Sequence, residues 1–315
     1  MIPESLLTIR EINSERIQAY LHLAARMKQA PEKFSHLLKN RTVLQFFVEN
    51  STRTRMSFEA ATRKLGGTNI AFTVGTSSLS KGETLLDTVQ TICRYGVNSV
   101  VMRNYSGGTP KLIADVLKLP IVNAGDGQHE HPTQALLDSF TLAQHWGIEW
   151  SAGAKNPFKN KTVMIIGDIL HSRVARSNIH CLTKLGAEVI LCAPRTLLPS
   201  DFSLFPKVQI ESRPDYALKQ VDAVMCLRIQ VERQNQQQIP SKEEYRHFWG
   251  LTVERAKTLR KDAAILHPAP MNRGIEIDSE VADSAQSLIL KQVENGVWAR
   301  MAVLGSLLNP EGVPA

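Results

Sequence analysis

Three observations predict an α/β fold of two doubly wound, parallel-sheet domains joined by helices. Short apolar runs bounded by turn residues alternate with segments whose apolar residues recur at helical spacing. The alternation comes in two blocks, separated by a connector at residues 150–160 that includes Ser-Ala-Gly-Ala-Lys-Asn-Pro. The 315 residues, 43% hydrophobic and 21% charged, suffice for two cores of ordinary size. The predicted limits are 1–149 for the first domain and 150–285 for the second, with a C-terminal helix at 286–308 packing back on the first. A substrate cleft is expected between the two.

Composition excludes several classes. A formal charge of +7 could suit nucleic acid, but the basic residues are scattered and only 6% of residues are aromatic. Attraction of small anionic substrates accounts for the same balance. No apolar run approaches the length of a membrane span, and Met1-Ile2-Pro3-Glu4-Ser5 lacks a basic, then apolar, leader, so a cytoplasmic protein is expected. Cys93, Cys181, Cys192 and Cys226 lie in apolar runs without Cys-x-x-Cys spacing and read as buried free thiols. No metal cluster and no cofactor motif is evident.

Taken in order, Glu15–Gln29 is amphipathic, with Ile17, Leu21, Ala24 and Ala25 on one face behind the cap Asn13-Ser14. Val43–Val48 is a buried strand, followed by a helix through Leu65 that stops at Gly66-Gly67. Thr68–Val74 is a strand, Glu83–Tyr95 a helix ended by Gly96, and Val97–Arg103 and Leu119–Ala124 are strands. A helix opens at His131-Pro132, with proline at the first helical position and Leu136, Phe140 and Ala143 as its core stripe. In the second block, Thr162–Asp168, Ala187–Ala193, Val208–Ser212, Asp222–Arg228 and Ala263–His267 read as strands. Val174–Gly186, Thr252–Lys261 and Ser279–Leu308 read as helical.

The chemistry gathers at strand ends, where open parallel sheets bind ligands. Glu49-Asn50-Ser51-Thr52-Arg53-Thr54-Arg55 joins a strand to a helix, setting hydroxyls and guanidinium groups at a helix N-terminus. Cations there oppose the helix dipole unless an anion is bound nearby, so the stretch reads as a phosphate-binding turn rather than an ordinary Ser51 cap. Further strand ends carry Lys81, Arg103, His131 and Gln134 in the first block, and Arg173, Arg228, Gln230 and His267-Pro268-Ala269-Pro270 in the second. Almost no carboxylate accompanies them, which argues for a polyanionic substrate and against metal-dependent hydrolysis or carboxylate acid–base work. His131 and Gln134, at i and i+3, face one direction, and the helix N-terminus favours a neutral His131 imidazole that donates to a carbonyl. His129 reads as solvated. Lys81 sits in a Gly-flanked, Ser-rich loop suited to delivering a cation. The Gly167-Asp168-Ile169-Leu170-His171-Ser172-Arg173 turn lacks the further glycines of a dinucleotide site.

Together Ser51-Thr52-Arg53-Thr54-Arg55, His131-Pro132-Thr133-Gln134 and His267-Pro268-x-Pro270, in that order, resemble the carbamoyltransferases. The resemblance extends to Lys81-Gly82-Glu83-Thr84 and Asn123-Ala124-Gly125-Asp126-Gly127. Arg228-Ile229-Gln230-Val231-Glu232-Arg233 and a 267–270 turn without cysteine favour aspartate over ornithine as acceptor. The resemblance implies transfer of the carbamoyl group of carbamoyl phosphate to aspartate, an early step of pyrimidine biosynthesis, without a cofactor. It implies that Ser51, Thr52, Arg53, Thr54 and Arg103 hold phosphate, and that Thr54, Arg103 and His131 polarise the carbonyl. Gln134 and the Ala269 and Pro270 carbonyls would orient the carbamoyl NH2. Arg173, Arg228 and Gln230 would take the aspartate carboxylates, and residues 230–250 would form a loop closing over aspartate. It also implies a homotrimer with shared sites, Lys81 and Ser77 or Ser78 coming from the neighbouring subunit. Further assembly with regulatory chains or a dihydroorotase is left open.

Overall fold

The computed structural model describes residues 4–72, 82–150, 154–203, 205, 207–229, 239 and 241–314. The chain divides into two compact units, one of Met1–Phe140 with Val293–Ala315 and one of Thr141–Gln292.

The first unit begins with α1 (Ser14–Gln29), where the Asn13 side chain accepts from the Arg16 N–H and Ile17, Leu21 and Ala24 are fully buried. Then come β1 (Thr42–Phe47), α2 (Thr52–Lys64), β2 (Thr68–Phe72), α3 (Leu85–Cys93), β3 (Ser99–Asn104), α4 (Thr109–Leu117), β4 (Ile121–Asp126) and α5 (Pro132–His145). The strands pair in parallel in the order β2-β1-β3-β4. Helices cover such a sheet on both faces, which is why β1 and β3 read as nearly continuous apolar runs. Leu44, Phe46, Val100, Met102, Ile113 and Ile121 build one core cluster. Helix α4, absent from the sequence reading, is the crossover that parallel β3 and β4 require. Gly107-Gly108 and Pro110 at its start were its signal.

The second unit contains β5 (Thr162–Ile166), α6 (Arg173–Lys184), β6 (Glu188–Cys192), β7 (Val208–Glu211), the single turn α7 (Pro214–Ala217) and β8 (Ala223–Cys226). It continues with α8 (Lys242–Trp249), α9 (Val253–Ala256), β9 (Ala264–Leu266) and α10 (Ser279–Ala282). Its strands are again all parallel, in the order β7-β6-β5-β8-β9. Met164, Ile166, Val224, Cys226, Leu251, Ile265 and Ile277 lie in its core.

Two helices pass from one unit into the other. The division falls within α5, not in the 150–160 connector, because the residues after Phe140 are tied to the second unit. There His145 Nε2 lies 2.7 Å from the Asp262 carbonyl, and Trp146 packs edge-on against Phe158. The other is α11 (Ile289–Leu308), whose residues from Val293 onward belong to the first unit.

Three readings are corrected. Residues 242–249, expected in a long loop, form α8. Ser241 caps it at Glu244 N, Tyr245 is buried, and Arg246 grips Asp278 through two bonds of 2.9 and 2.8 Å. The helix expected over Thr252–Lys261 spans only Val253–Ala256. The segment Ser279–Leu308 is broken between α10 and α11, where Ser287 bridges to Ile265 of β9 and the sheet captures the backbone. All four cysteines are free, but Cys93 is only half-buried. Among the described residues no helix is long and apolar enough to cross a membrane.

Candidate active site

In the first unit, the chain runs from β1 to β2 on one side and later crosses to β3 on the other. The gap beyond the ends of β1 and β3 is therefore a topological switch point, where open α/β sheets bind ligands. Ser51, Thr52, Arg53 and Thr54 stand there, and Arg103 lies alongside in β3, in register with Phe47. Ser51 is the N-cap residue of α2, yet its side chain makes no capping bond, and no acidic residue occupies the first turn. The first turn thus offers N–H donors and the helix dipole without a side-chain cap or an acidic residue of its own. Thr54 is buried, and Arg55 is half-exposed and paired with Glu59, one turn on, at 3.5 Å. Arg103 donates Nη2 to Glu49 Oε1 at 2.8 Å and Nη1 to the Ala124 carbonyl at 3.3 Å, which holds the guanidinium beside the turn.

The loop from β4 to α5 is organised by buried Asp126. Its Oδ1 accepts from Asn123 Nδ2 and the Glu130 N–H, and its Oδ2 from the Gly108 N–H. Burial alone would raise the Asp126 pKa, but hydrogen bonds from His129, Asn123 and Gly108 outweigh it and lower the value. His129, expected to be solvated, is half-exposed with Nδ1 3.0 Å from Asp126 Oδ2. Glu130 accepts from the Ile9 and Arg10 N–H groups at 2.7 and 3.2 Å, anchoring the loop to the N-terminal segment. This scaffold sets His131 just before α5 and Gln134 in its first turn, both buried, with the Gln134 N–H donating to the His131 carbonyl. Gln134 Nε2 donates to Asp138 Oδ1 at 2.9 Å.

In the second unit the switch point lies between β5 and β8. Gly167 ends β5 at φ +132°, and a Cβ there would meet the Leu227 carbonyl oxygen at 2.7 Å. Glycine is needed for the close approach of the two strand ends, not for a nucleotide. Arg173 is the first residue of α6 and is buried, while the Ser172 hydroxyl caps the helix by accepting from the Ala175 N–H. Arg228 follows β8 and is half-buried. Beyond β9, His267 Nδ1 accepts from the Ala269 N–H at 2.9 Å, so the ring proton sits on Nε2, 3.1 Å from Glu276 Oε1. The same Glu276 oxygen accepts from the Asn272 N–H, and Asn272 Nδ2 donates to the Ile229 carbonyl, joining the turn to the segment after β8. Ala269 is held at φ +51°, and its peptide bond to Pro270 is cis.

The structure thus groups Ser51, Thr52, Arg53, Thr54, Arg103, His131 and Gln134 at the carboxyl ends of the strands of one sheet. It groups Arg173, Arg228, Ala269 and Pro270 at the carboxyl ends of the strands of the other. Lys81, Ser77, Ser78 and Gln230 lie outside the described residues. The expectation of almost no carboxylates is overturned: Glu49 braces Arg103, Asp138 holds Gln134, and Glu276 orients His267. Each is buried and engaged with a neighbouring donor. Two signals were available, since Glu49 stands inside the Glu49–Arg55 stretch and Asp138 is one helical turn beyond Gln134. Glu276 is brought to His267 only by the fold. No group of three or more His, Cys, Asp or Glu residues that could hold a metal ion occurs among the described residues.

Comparison with known proteins finds two family domains along the chain. Residues 4–144 match the carbamoyl-P binding domain of the aspartate/ornithine carbamoyltransferases, and residues 159–307 match their Asp/Orn binding domain. The chain is 47% identical over 307 residues to the aspartate carbamoyltransferase catalytic subunit of Koribacter versatilis, covering 97% of each. It is 48% identical over 270 residues to that of Myxococcus xanthus, covering 86% of this chain and 88% of the other. Aspartate transcarbamoylase from Trypanosoma cruzi, in complex with carbamoyl phosphate and aspartate, superposes with a TM-score of 0.87 at 29% identity, covering 97% of each chain. Ornithine carbamoyltransferase from Pyrococcus furiosus superposes with a TM-score of 0.84 at 27% identity, covering 98% of this chain and 97% of that one. Matched along both of its units, the chain belongs to the aspartate/ornithine carbamoyltransferase family.

Proposed function

We propose that the protein transfers the carbamoyl group of carbamoyl phosphate to the α-amine of L-aspartate, giving N-carbamoyl-L-aspartate and phosphate, in the cytoplasm and as an early step of pyrimidine biosynthesis. The observation that carries this reading is the pairing of two cationic switch points. One has an uncapped helix N-terminus beside Arg53 and Arg103, the other has Arg173 and Arg228. A phosphorylated donor suits the first and a dicarboxylate the second, whereas the ammonium end of ornithine would be repelled there. The aspartate-specific names of the relatives above support the same choice.

On this reading Ser51, Thr52, Arg53, Thr54 and Arg103 grip the phosphate. Thr54, Arg103 and His131 polarise the carbamoyl oxygen, and Gln134 with the Ala269 and Pro270 carbonyls receives the carbamoyl N–H groups. Arg173, Arg228 and Gln230 hold the two carboxylates of aspartate. The neutral amine attacks the carbamoyl carbon, the oxyanion that forms is stabilised by donors already in place, and its collapse expels phosphate. Phosphate departs readily once its charge is matched, and it can take the amine proton. No covalent enzyme intermediate is needed. The working form is a homotrimer in which Lys81 and Ser77 or Ser78 enter the site of the neighbouring subunit.

Purified protein supplied with carbamoyl phosphate and either aspartate or ornithine tests the reading. Formation of N-carbamoyl-aspartate supports it. Citrulline with ornithine, or no phosphate release with either amine, refutes it. Sedimentation of the active species checks the trimer.

A further inference from the structure

We propose that Asp138 is a positioning residue that sets the direction of the Gln134 amide. The inference rests on the carbamoyl-transfer reading. A glutamine amide has a donor end and an acceptor end of nearly equal size, and only its partners decide which way it points. Asp138 is fully buried one turn beyond Gln134, and its Oδ1 lies 2.9 Å from Gln134 Nε2. An ionised carboxylate only accepts, so the NH2 end must face it and Oε1 must face the other way. Oε1 is then the acceptor that a carbamoyl NH2 needs. With the amide reversed, two NH2 groups would oppose each other across the reacting group.

A buried cation from α11, Arg300, lies in the same region and is 4% exposed. Burial pulls the Arg300 pKa down to about 10, the nearby Asp138 carboxylate opposes this, and Arg103 adds to it. The guanidinium therefore stays charged at neutral pH. Its Nη1 donates to Ser57 Oγ at 2.9 Å, and its carbon lies 5.0 Å from the Phe58 ring centroid. Space for it is made by Gly296, one turn earlier in α11. A Cβ at that position would meet Arg300 Nη1 at 2.4 Å and Leu137, the neighbour of Asp138, at 3.2 Å. A glycine inside a 20-residue helix weakens it, and here its place is taken by the arginine's reach toward α5.

A swap of the two polar groups tests the proposal. Gln134→Glu alone sets two carboxylates face to face and is expected to lower kcat by about a hundredfold or more. Combined with Asp138→Asn, the amide at 138 donates to one oxygen at 134 while the other oxygen faces the carbamoyl NH2. The combined variant should then recover at least about tenfold of the lost kcat. Separately, Asp138→Ala should lower kcat about ten- to a hundredfold alone but less than about twofold further in a Gln134→Ala background. Inorganic phosphate should bind the swapped pair and Gln134→Ala, which leave the net charge unchanged, within about twofold of the parent chain. No recovery in the swap, multiplicative losses in the alanine pair, or phosphate affinity falling with kcat would each overturn the positioning role. Absence of carbamoyl transfer by the parent chain would instead be the failure of the functional reading.

Discussion

The two helix N-termini that follow the switch points differ in how they could meet an anion. At α2 the side chain of the capping residue Ser51 makes no capping bond, and the first turn holds no acidic residue. At α6 the Ser172 hydroxyl already accepts from the Ala175 N–H, and Arg173 is itself the first helical residue. Backbone donors are thus offered in the first unit, whereas in the second the guanidinium takes over. Phosphate, compact and with oxygens in every direction, suits convergent N–H groups at a helix end. The two carboxylates of an amino acid, held apart on a short chain, suit long forked side chains.

The comparison can be broken most severely at the phosphate side. Arg53→Ala should reduce kcat by about a thousandfold or more while circular dichroism and Tm stay close to the parent, because Arg53 is exposed. A kcat within about tenfold of the parent would show that the phosphate does not sit at this turn. Arg103→Ala should be equally inactive but also lose about 1.5–3 kcal/mol of stability, since the nearly buried Glu49 carboxylate loses a charge-assisted hydrogen bond. Urea unfolding of the two variants side by side separates the effects.

On the acceptor side, Arg228→Ala should raise the aspartate KM by about a hundredfold and leave the affinity for carbamoyl phosphate nearly unchanged. Equal loss of both affinities would merge the two half-sites. Gly167→Ala forces a Cβ to 2.7 Å from the Leu227 carbonyl oxygen and should cost about 1–3 kcal/mol, read as a lowered Tm. Its effect on aspartate KM should exceed that on phosphate affinity. The smallest effect concerns the loop around Asp126. Its folded pKa lies below the ordinary 3.8, so its contribution is present above that value and lost as pH falls through the folded pKa. Asp126→Asn should lower Tm at pH 7, and the gap from the parent chain should close as the pH falls below about 4. A gap that is unchanged with pH would show that this loop is not held by the charge.

Much of this was legible in the chain itself because the pattern and the physics coincide. Parallel strands covered on both faces are apolar throughout, so β1, β3 and β5 stand out, and glycines or caps mark the helices beside them. The site residues sit at or a few residues beyond the carboxyl ends of β1, β3, β4 and β5, which is why Arg53, Arg103, His131 and Arg173 could be named as candidates. Legibility failed where a local signal was weak or distant. Helix α4 is short and its outward face carries exposed Leu112 and Val116, which blurs the helical pattern. Helix α8 lies in a polar stretch beyond many glutamines, and it is the burial of Tyr245 and the pairing of Arg246 with Asp278 that hold it. Carboxylates looked scarce because a list of residues at strand ends does not contain their partners. Glu276 lies nine residues from His267 and meets it only after the chain turns back.

What the order of residues determined alone is the alternation of strands and helices, the two blocks, and the place of each cationic group at a strand end. These follow from short-range sterics and from the period of apolar residues. The tertiary structure decided which carboxylate stands behind which donor, and with it which way Arg103, Gln134 and His267 face. It also decided that Arg300, from the far end of the chain, comes to lie against Ser57 and Phe58. A buried polar group must find its partner wherever packing brings one, and in this chain that partner is in some cases more than a hundred residues away in sequence.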